Sequence, residues 1–397
     1  METGGITYPS GFYASGISCG IKGNGKKDLS LIFSETPCVA AGTFTTNKFK
    51  SYSVLWSLNN IRNDIQAVII NSGNANACNG KENYEKTKIL VKKLSEILKI
   101  PHRSILIAST GIIGKPFPFD EISSSLENLV KNMGREKHKE AAEGIITTDT
   151  FIKEFQIDTG ISGRKKEVVI GGMAKGAGMI NPNMATMLAF ITTDAVIKRD
   201  ALEKALKECV ENSFNMINID GDRSTNDMVV CLANGEAKNE RIHLDTPEYE
   251  KFYLALEKVC MELAKMIAKD GEGAEKFIEV VVKGGWCKKD VRRIAKKVAG
   301  SYLVKSAIAG ASPNWGRIVA AAGSAEAKLN EKKMEVSICG IKVFDGKPVK
   351  FDEEKLRKLM YNKEIRIEID LKKGNFQATA WGCDLTEEYV RINKEYS

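Results

Sequence analysis

Residues 175–188 read KGAGMINPNMATML, and the rest of the chain is organised around them. Gly171, Gly172, Gly176 and Gly178 precede or open the run; glycine adopts backbone shapes closed to other residues and lets another group approach the main chain. Pro182 fixes its own φ and turns Asn181 away from helix, while Asn183 can bond its own backbone, so the approach to Met184 is irregular. The apolar run Met187, Leu188, Ala189, Phe190, Ile191, bounded by Thr192, Thr193 and Asp194, predicts a short buried strand. Thr186 stands where loop becomes strand. Most threonines in strands only pack, but a hydroxyl following a strained peptide can attack the carbonyl before it. Hydrolysis of the resulting ester between Ala185 and Thr186 leaves threonine as a new N-terminus. Its α-amino group, with a pKa of about 7.7–8.0, can then serve as the base for its own hydroxyl.

Five further stretches carry chemistry-bearing residues: NSGNANACNG at 71–80, STGIIG at 109–114, DGEGA at 270–274, PNWGRI at 313–318 and YVRIN at 389–393. With the run at 175–188, they fall in the order of the landmarks of the ornithine acetyltransferase family, also called glutamate N-acetyltransferase, which this sequence resembles over nearly its whole length. The resemblance implies an α/β fold: a layered α-β-β-α core of N-terminal-nucleophile type with a smaller C-terminal α+β domain. It implies acetyl transfer from N2-acetyl-L-ornithine to L-glutamate through an acetyl-Thr186 intermediate, within cyclic arginine biosynthesis, after self-cleavage at Ala185–Thr186. By the same resemblance Thr110 and Gly111 form the oxyanion hole, Thr147, Glu272, Asn393 and Ser397 contact substrate, and the two fragments assemble into a heterotetramer or larger form. Lys175 is the nearest cation to Thr186 in sequence and suits a substrate α-carboxylate; by charge, Glu272 suits ornithine's δ-ammonium. No cofactor and no metal are expected, and the resemblance leaves open whether acetyl-CoA is a second donor. Ser312 stands where the family often has aspartate, and Glu275 where threonine is frequent.

The composition is that of a soluble globular protein: 397 residues, 43% apolar and 28% charged. That length predicts two domains, placed at 1–284 and 285–397. No 18-residue apolar run predicts a membrane span, and METGGITYPSGFYASG has neither the basic opening nor the apolar core of a secretion signal. Nine scattered cysteines without a C-x-x-C pair fit free thiols and a cytoplasmic location. The net charge of +8 comes from lysines alternating with glutamates, a solvated surface and not a nucleic-acid site. A dinucleotide or phosphate module fails because no G-x-G-x-x-G exists and Ala177, not lysine, follows Gly176. His102, His138 and His243 lack ligand spacing. The surviving rival is an amidase or aminopeptidase using the same threonine with water as acceptor.

Along the chain the patterns predict strands at 67–70 and 105–108, the second delivering Ser109, Thr110 and Gly111 at its end, with 71–80 as a loop. A helix is expected at 84–99, another at 201–211 capped by Asp200, and a third from Pro247 to about 269 capped by Thr246. Thr147, Thr148, Asp149 and Thr150 form a polar cluster. Residues 220–231 imitate a calcium loop but have Thr225 at position six and Cys231 at position twelve. Alternation at 364–371 and 376–380 around Lys373, Gly374 and Asn375 predicts a hairpin.

Overall fold

The computed structural model describes residues 4–23, 25–181 and 187–395; Ala185, Thr186 and Ser397, with the approach through 182–184, lie outside them. The described residues of 1–176, 183–213 and 223–263 form one unit, and those of 177–182, 214–222 and 264–397 a second. The first nine strands in chain order are β1 (Phe12–Ile17), β2 (Leu29–Phe44), β3 (Ile65–Asn74), β4 (Ile105–Ile112), β5 (Lys153–Ser162), β6 (Glu167–Lys175), β7 (Leu188–Thr193), β8 (Ile217–Asn218) and β9 (Met228–Ala233).

In the first unit the long strand β2 serves two half-sheets. Leu29–Phe33 pairs with β1 on one side and β3 on the other, whereas Val39–Phe44 pairs with β9. The register breaks between Phe33 and Cys38, and Pro37, which has no N–H for a ladder, lies in the break. One half-sheet is therefore β4-β3-β2 with β1 alongside; the other is β2-β9-β7-β6-β5. Alternate residues of both halves meet in one core: Ile32, Val68, Ile70 and Leu106 join Met173, Leu188, Phe190 and Val230. The opposite face of the first half, Leu31, Ala67, Ile69 and Ile107, packs on Leu90 and Leu94 of helix Glu82–Leu98 and on Ile122 and Leu126 of helix Phe119–Lys131. Each fully buried leucine or isoleucine among them stabilises by about 1.5–3 kcal/mol. Outside the second half lie helix Arg199–Asn212, whose Arg199 donates to Ala40 O, and helix Pro247–Lys269, whose Val259 and Leu263 crowd Gly172. The layering is helix, sheet, sheet, helix, as the resemblance implies.

Several local readings need correction. β3 continues through Asn74 and β4 through Ile112, so residues 71–74 and 109–111 are strand rather than loop. Gly171 and Gly172 lie within β6; a Cβ on Gly171 would stand 1.9 Å from Gly5 O, so these glycines permit close packing instead of a turn. Lys198, not Asp200, occupies the cap of helix Arg199–Asn212.

The second unit adds β10 (Phe277–Gly285), β11 (Glu335–Ile338), β12 (Ile341–Asp345), β13 (Glu364–Asp370) and β14 (Phe376–Cys383), in sheet order β12-β11-β13-β10-β14-β8. The expected hairpin does not form, because β10 lies between its two strands: Val280 is opposite Ile367 in parallel and Ala380 in antiparallel register. The turn at 371–375 instead crosses the end of β10, with the Leu371 and Lys373 N–H groups donating to Lys283 O and Gly284 O. β10 is buried at Phe277, Ile278, Val280 and Val282. It is an interior strand of this sheet, and the last stretch of the second unit runs from Ala264. Among the described residues no helix is long and apolar enough to cross a membrane.

Candidate active site

In the first unit β3 and β4 run parallel, and Gly73 lies opposite Gly111 just where the register slips. Both have positive φ, +97° and +134°, and a Cβ on Gly111 would stand 2.3 Å from the Gly73 carbonyl carbon. Only glycine fits, so the backbone beside Thr110 is bent by the pairing itself. The peptides beneath are held firmly. Asn226 Nδ2 donates to Ser109 O at 2.7 Å and Ala75 O at 2.6 Å, and Ser109 Oγ donates to Asn71 Oδ1 at 2.6 Å. A buried network of this kind holds the end of β4 rigid.

Thr147 and Lys175, 28 residues apart in sequence, meet: Lys175 Nζ donates to Thr147 Oγ1 at 2.8 Å. Between them Asp149 accepts from Thr147 N–H (3.0 Å), Gly176 N–H (2.7 Å) and Lys153 Nζ (2.7 Å), with Lys175 Nζ at 3.7 Å. Burial alone would push the Asp149 carboxyl up, but Lys175 and Lys153 outweigh it and hold it below the usual carboxylate range. Asp149 thus lies between two buried ammoniums, those of Lys153 and Lys175.

The residues preceding two parallel strands are also joined. β7 and β9 pair from Leu188 and Met228 onward, and Asp227 Oδ1 accepts the Met187 N–H at 3.1 Å. Asp227 is fully buried, and its own carbonyl accepts the Thr45 N–H at 2.9 Å.

In the second unit Glu272 follows helix Pro247–Lys269. Its N–H donates to Ala177 O at 2.9 Å, and its carboxylate accepts from Asn393 Nδ2 at 2.8 Å. A Cβ on Gly178 would stand 2.3 Å from Glu272 Oε2, so the glycine makes room for the carboxylate. Asp220 accepts from Met179 N–H (2.5 Å) and Ile180 N–H (2.8 Å). The aspartate of the failed calcium loop thus anchors the main chain at Met179 and Ile180.

The structure therefore brings Thr147 to Lys175 and Glu272 to Asn393, and places Thr110 and Gly111 on a bent strand; Thr186 and Ser397 fall outside the described residues. Three residues escaped the sequence reading. Asp149 was read only as part of a polar cluster, and Asp227 and Lys22 were not singled out. Lys22 Nζ donates to Ile146 O (2.6 Å), beside Thr147, and to Lys27 O (2.7 Å), while its stem packs on Gly73. Burial lowers its pKa to about 8 against the attraction of Asp28. The density of polar residues in DGDRSTND, 220–227, was the one available signal for Asp227.

The model of the ArgJ family matches residues 13–397. The arginine biosynthesis bifunctional protein ArgJ 1 of Clostridium acetobutylicum is 47% identical over 97% of this chain and 95% of its own length. The ArgJ protein of Symbiobacterium thermophilum is 46% identical over 99% and 98%. Among solved structures, the arginine biosynthesis bifunctional protein of Bacillus halodurans is 44% identical with a TM-score of 0.51, covering 52% of this chain and 98% of that one. Matched by the family model over residues 13–397 and by relatives nearly half identical over almost their full length, the chain belongs to the ArgJ family, the ornithine acetyltransferases of arginine biosynthesis.

Proposed function

We propose that Thr186, freed by self-cleavage after Ala185, takes the acetyl group of N2-acetyl-L-ornithine and passes it to L-glutamate. The observation that carries this reading is the Lys175–Thr147 hydrogen bond over Asp149. It supplies a buried cation and a hydroxyl for the α-carboxylate that both amino acids share. By the resemblance Glu272, Asn393 and Ser397 are further substrate contacts, and by its charge Glu272 suits ornithine's δ-ammonium. Cleavage need not release the pieces, because β7 and β9 of the second fragment lie between β2 and β6 of the first. The fragments are expected to co-purify and to part only in denaturant, as the core of the proposed heterotetramer.

The test is kinetic and chemical. A ping-pong transfer gives parallel lines in double-reciprocal plots and an acetyl adduct on the 186–397 fragment by mass spectrometry. Intersecting lines without an adduct mean direct transfer in a ternary complex. Acetate release matching turnover without glutamate means the amidase rival is correct. Substituting acetyl-CoA for N-acetylornithine in the same assay decides whether it is a second donor.

The oxyanion role of Thr110 and Gly111 has its own expected result. Thr110→Ala lowers kcat by about 100- to 1,000-fold with little change in KM. An effect confined to KM assigns Thr110 to substrate positioning.

A further inference from the structure

β3 and β4 slip out of register at the Gly73–Gly111 bend, where Asn74 lies opposite both Thr110 and Ile112. Buried carbonyls beside such a break need donors from elsewhere. Here one side chain supplies two of them: the Asn226 amide gives one N–H to Ser109 O at 2.7 Å and one to Ala75 O at 2.6 Å. Ala75 in turn donates its own N–H to Ile112 O at 3.0 Å. Asn226, Ser109, Ile112 and Ala75 thus close a ring around Thr110 and Gly111, and the amide is its side-chain link. The amide is itself oriented. Thr225 Oγ1 donates to Asn226 Oδ1 at 2.5 Å, which turns the NH2 end toward the two carbonyls. From behind, the Asn226 N–H donates to Ser224 Oγ at 3.0 Å, and Ser224 O accepts from Thr45 Oγ1 at 2.7 Å just past β2. Asn226 is 4% exposed, so water does not compete for these bonds.

The Ser109 carbonyl and the Thr110 nitrogen belong to one planar peptide group. A grip on that carbonyl therefore sets the plane from which Thr110 departs. Oxyanion donors act because they are aimed before charge develops on the acyl oxygen, and a displacement of about 1 Å in such a group lowers the rate about 100-fold. We propose that Asn226 is a positioning residue for the acetyl transfer, holding the Thr110–Gly111 span in the bend that aims its hydroxyl and N–H at the developing oxyanion. It makes and breaks no bond in the reaction. The proposal rests on Thr110 and Gly111 being the oxyanion hole.

A double-mutant cycle with Thr110 tests it, with kcat and KM measured for N-acetylornithine and glutamate. Asn226→Ala leaves Ser109 O and Ala75 O without this donor; it lowers kcat about 100-fold while both KM values stay within about threefold. In a Thr110→Ala background the same substitution lowers kcat by less than about threefold, because the hole it serves is already lost. Losses that multiply overturn the proposal, since a general fold defect acts alike in both backgrounds. A change confined to KM, or an unchanged kcat, also overturns it. If Asn226→Ala does not fold, Thr225→Val carries the cycle: it keeps the amide but removes the hydroxyl that orients it, and lowers kcat about tenfold through a smaller displacement. An unchanged kcat in that variant overturns the proposal. Thr110→Ala alone separates the two levels. If it leaves kcat intact, the oxyanion assignment falls and the proposal with it; if it lowers kcat and the cycle shows no coupling, only the proposal falls.

Discussion

Thr186→Ala leaves a single 397-residue chain on a denaturing gel and lowers turnover by about a million-fold, the scale of loss when a covalent nucleophile is removed. The two effects have one cause. Alanine has no oxygen to attack the Ala185 carbonyl, so the peptide stays intact, and no α-amino group appears to serve as base. Thr186→Ser separates the steps: it retains the hydroxyl, so it should still cleave, and it should carry an acetyl adduct. What remains in the alanine variant is binding, through Lys175 and Thr147 among others, and it should retain much of its affinity for N-acetylornithine by calorimetry. An alanine variant that cleaves, or that turns over within tenfold of wild type, removes threonine from the mechanism.

Asp149→Asn is expected to cost about 3–5 kcal/mol of stability, as breaking a buried ion pair from one side usually does. Asparagine fills the space and can still accept from the Gly176 N–H, but it leaves Lys153 and Lys175 buried with no carboxylate between them. The sign with pH follows from the depressed carboxyl. Its stabilisation is fully present above the unfolded value of about 3.9 and is lost as pH falls through the lower folded value. Wild type and variant should therefore converge in strong acid and differ most near neutrality. Urea melts at several pH values decide this. A difference below about 1 kcal/mol at pH 7 would mean that the lysines find other anions. Thr147→Val, which removes a hydroxyl but no charge, should cost less in the same melts.

The legible parts of the fold were those decided by neighbours in sequence. Helix Pro247–Lys269 begins at the proline that marks it, and Leu90 and Leu94, at helical spacing, face the core. The strand after the cleavage run was visible because 187–191 is uniformly apolar and ends in polar residues. The ends of β3 and β4 were not, since Asn71–Asn74 and Ser109–Gly111 look like turn formers. Their strand geometry comes from parallel pairing with each other and from Asn226.

By itself, the sequence determined the chemistry on offer. It named a threonine after an irregular approach, glycines where strands end, and the order of landmarks that marks the family, because each depends on residue type and short spacing. Tertiary structure alone decided who meets whom. Alternation along 364–371 and 376–380 says that two strands turn back on each other, yet it cannot say that β10, whose Phe277 pairs with Glu364, lies between them. Nor can composition reveal that Asp149 is the counter-charge of Lys175, or that Asp227 reaches Met187 across 40 residues. Those contacts are set by which strands pair and in what register. A single residue of slip in β5 or β9 would carry the carboxylate that precedes it away from its partner.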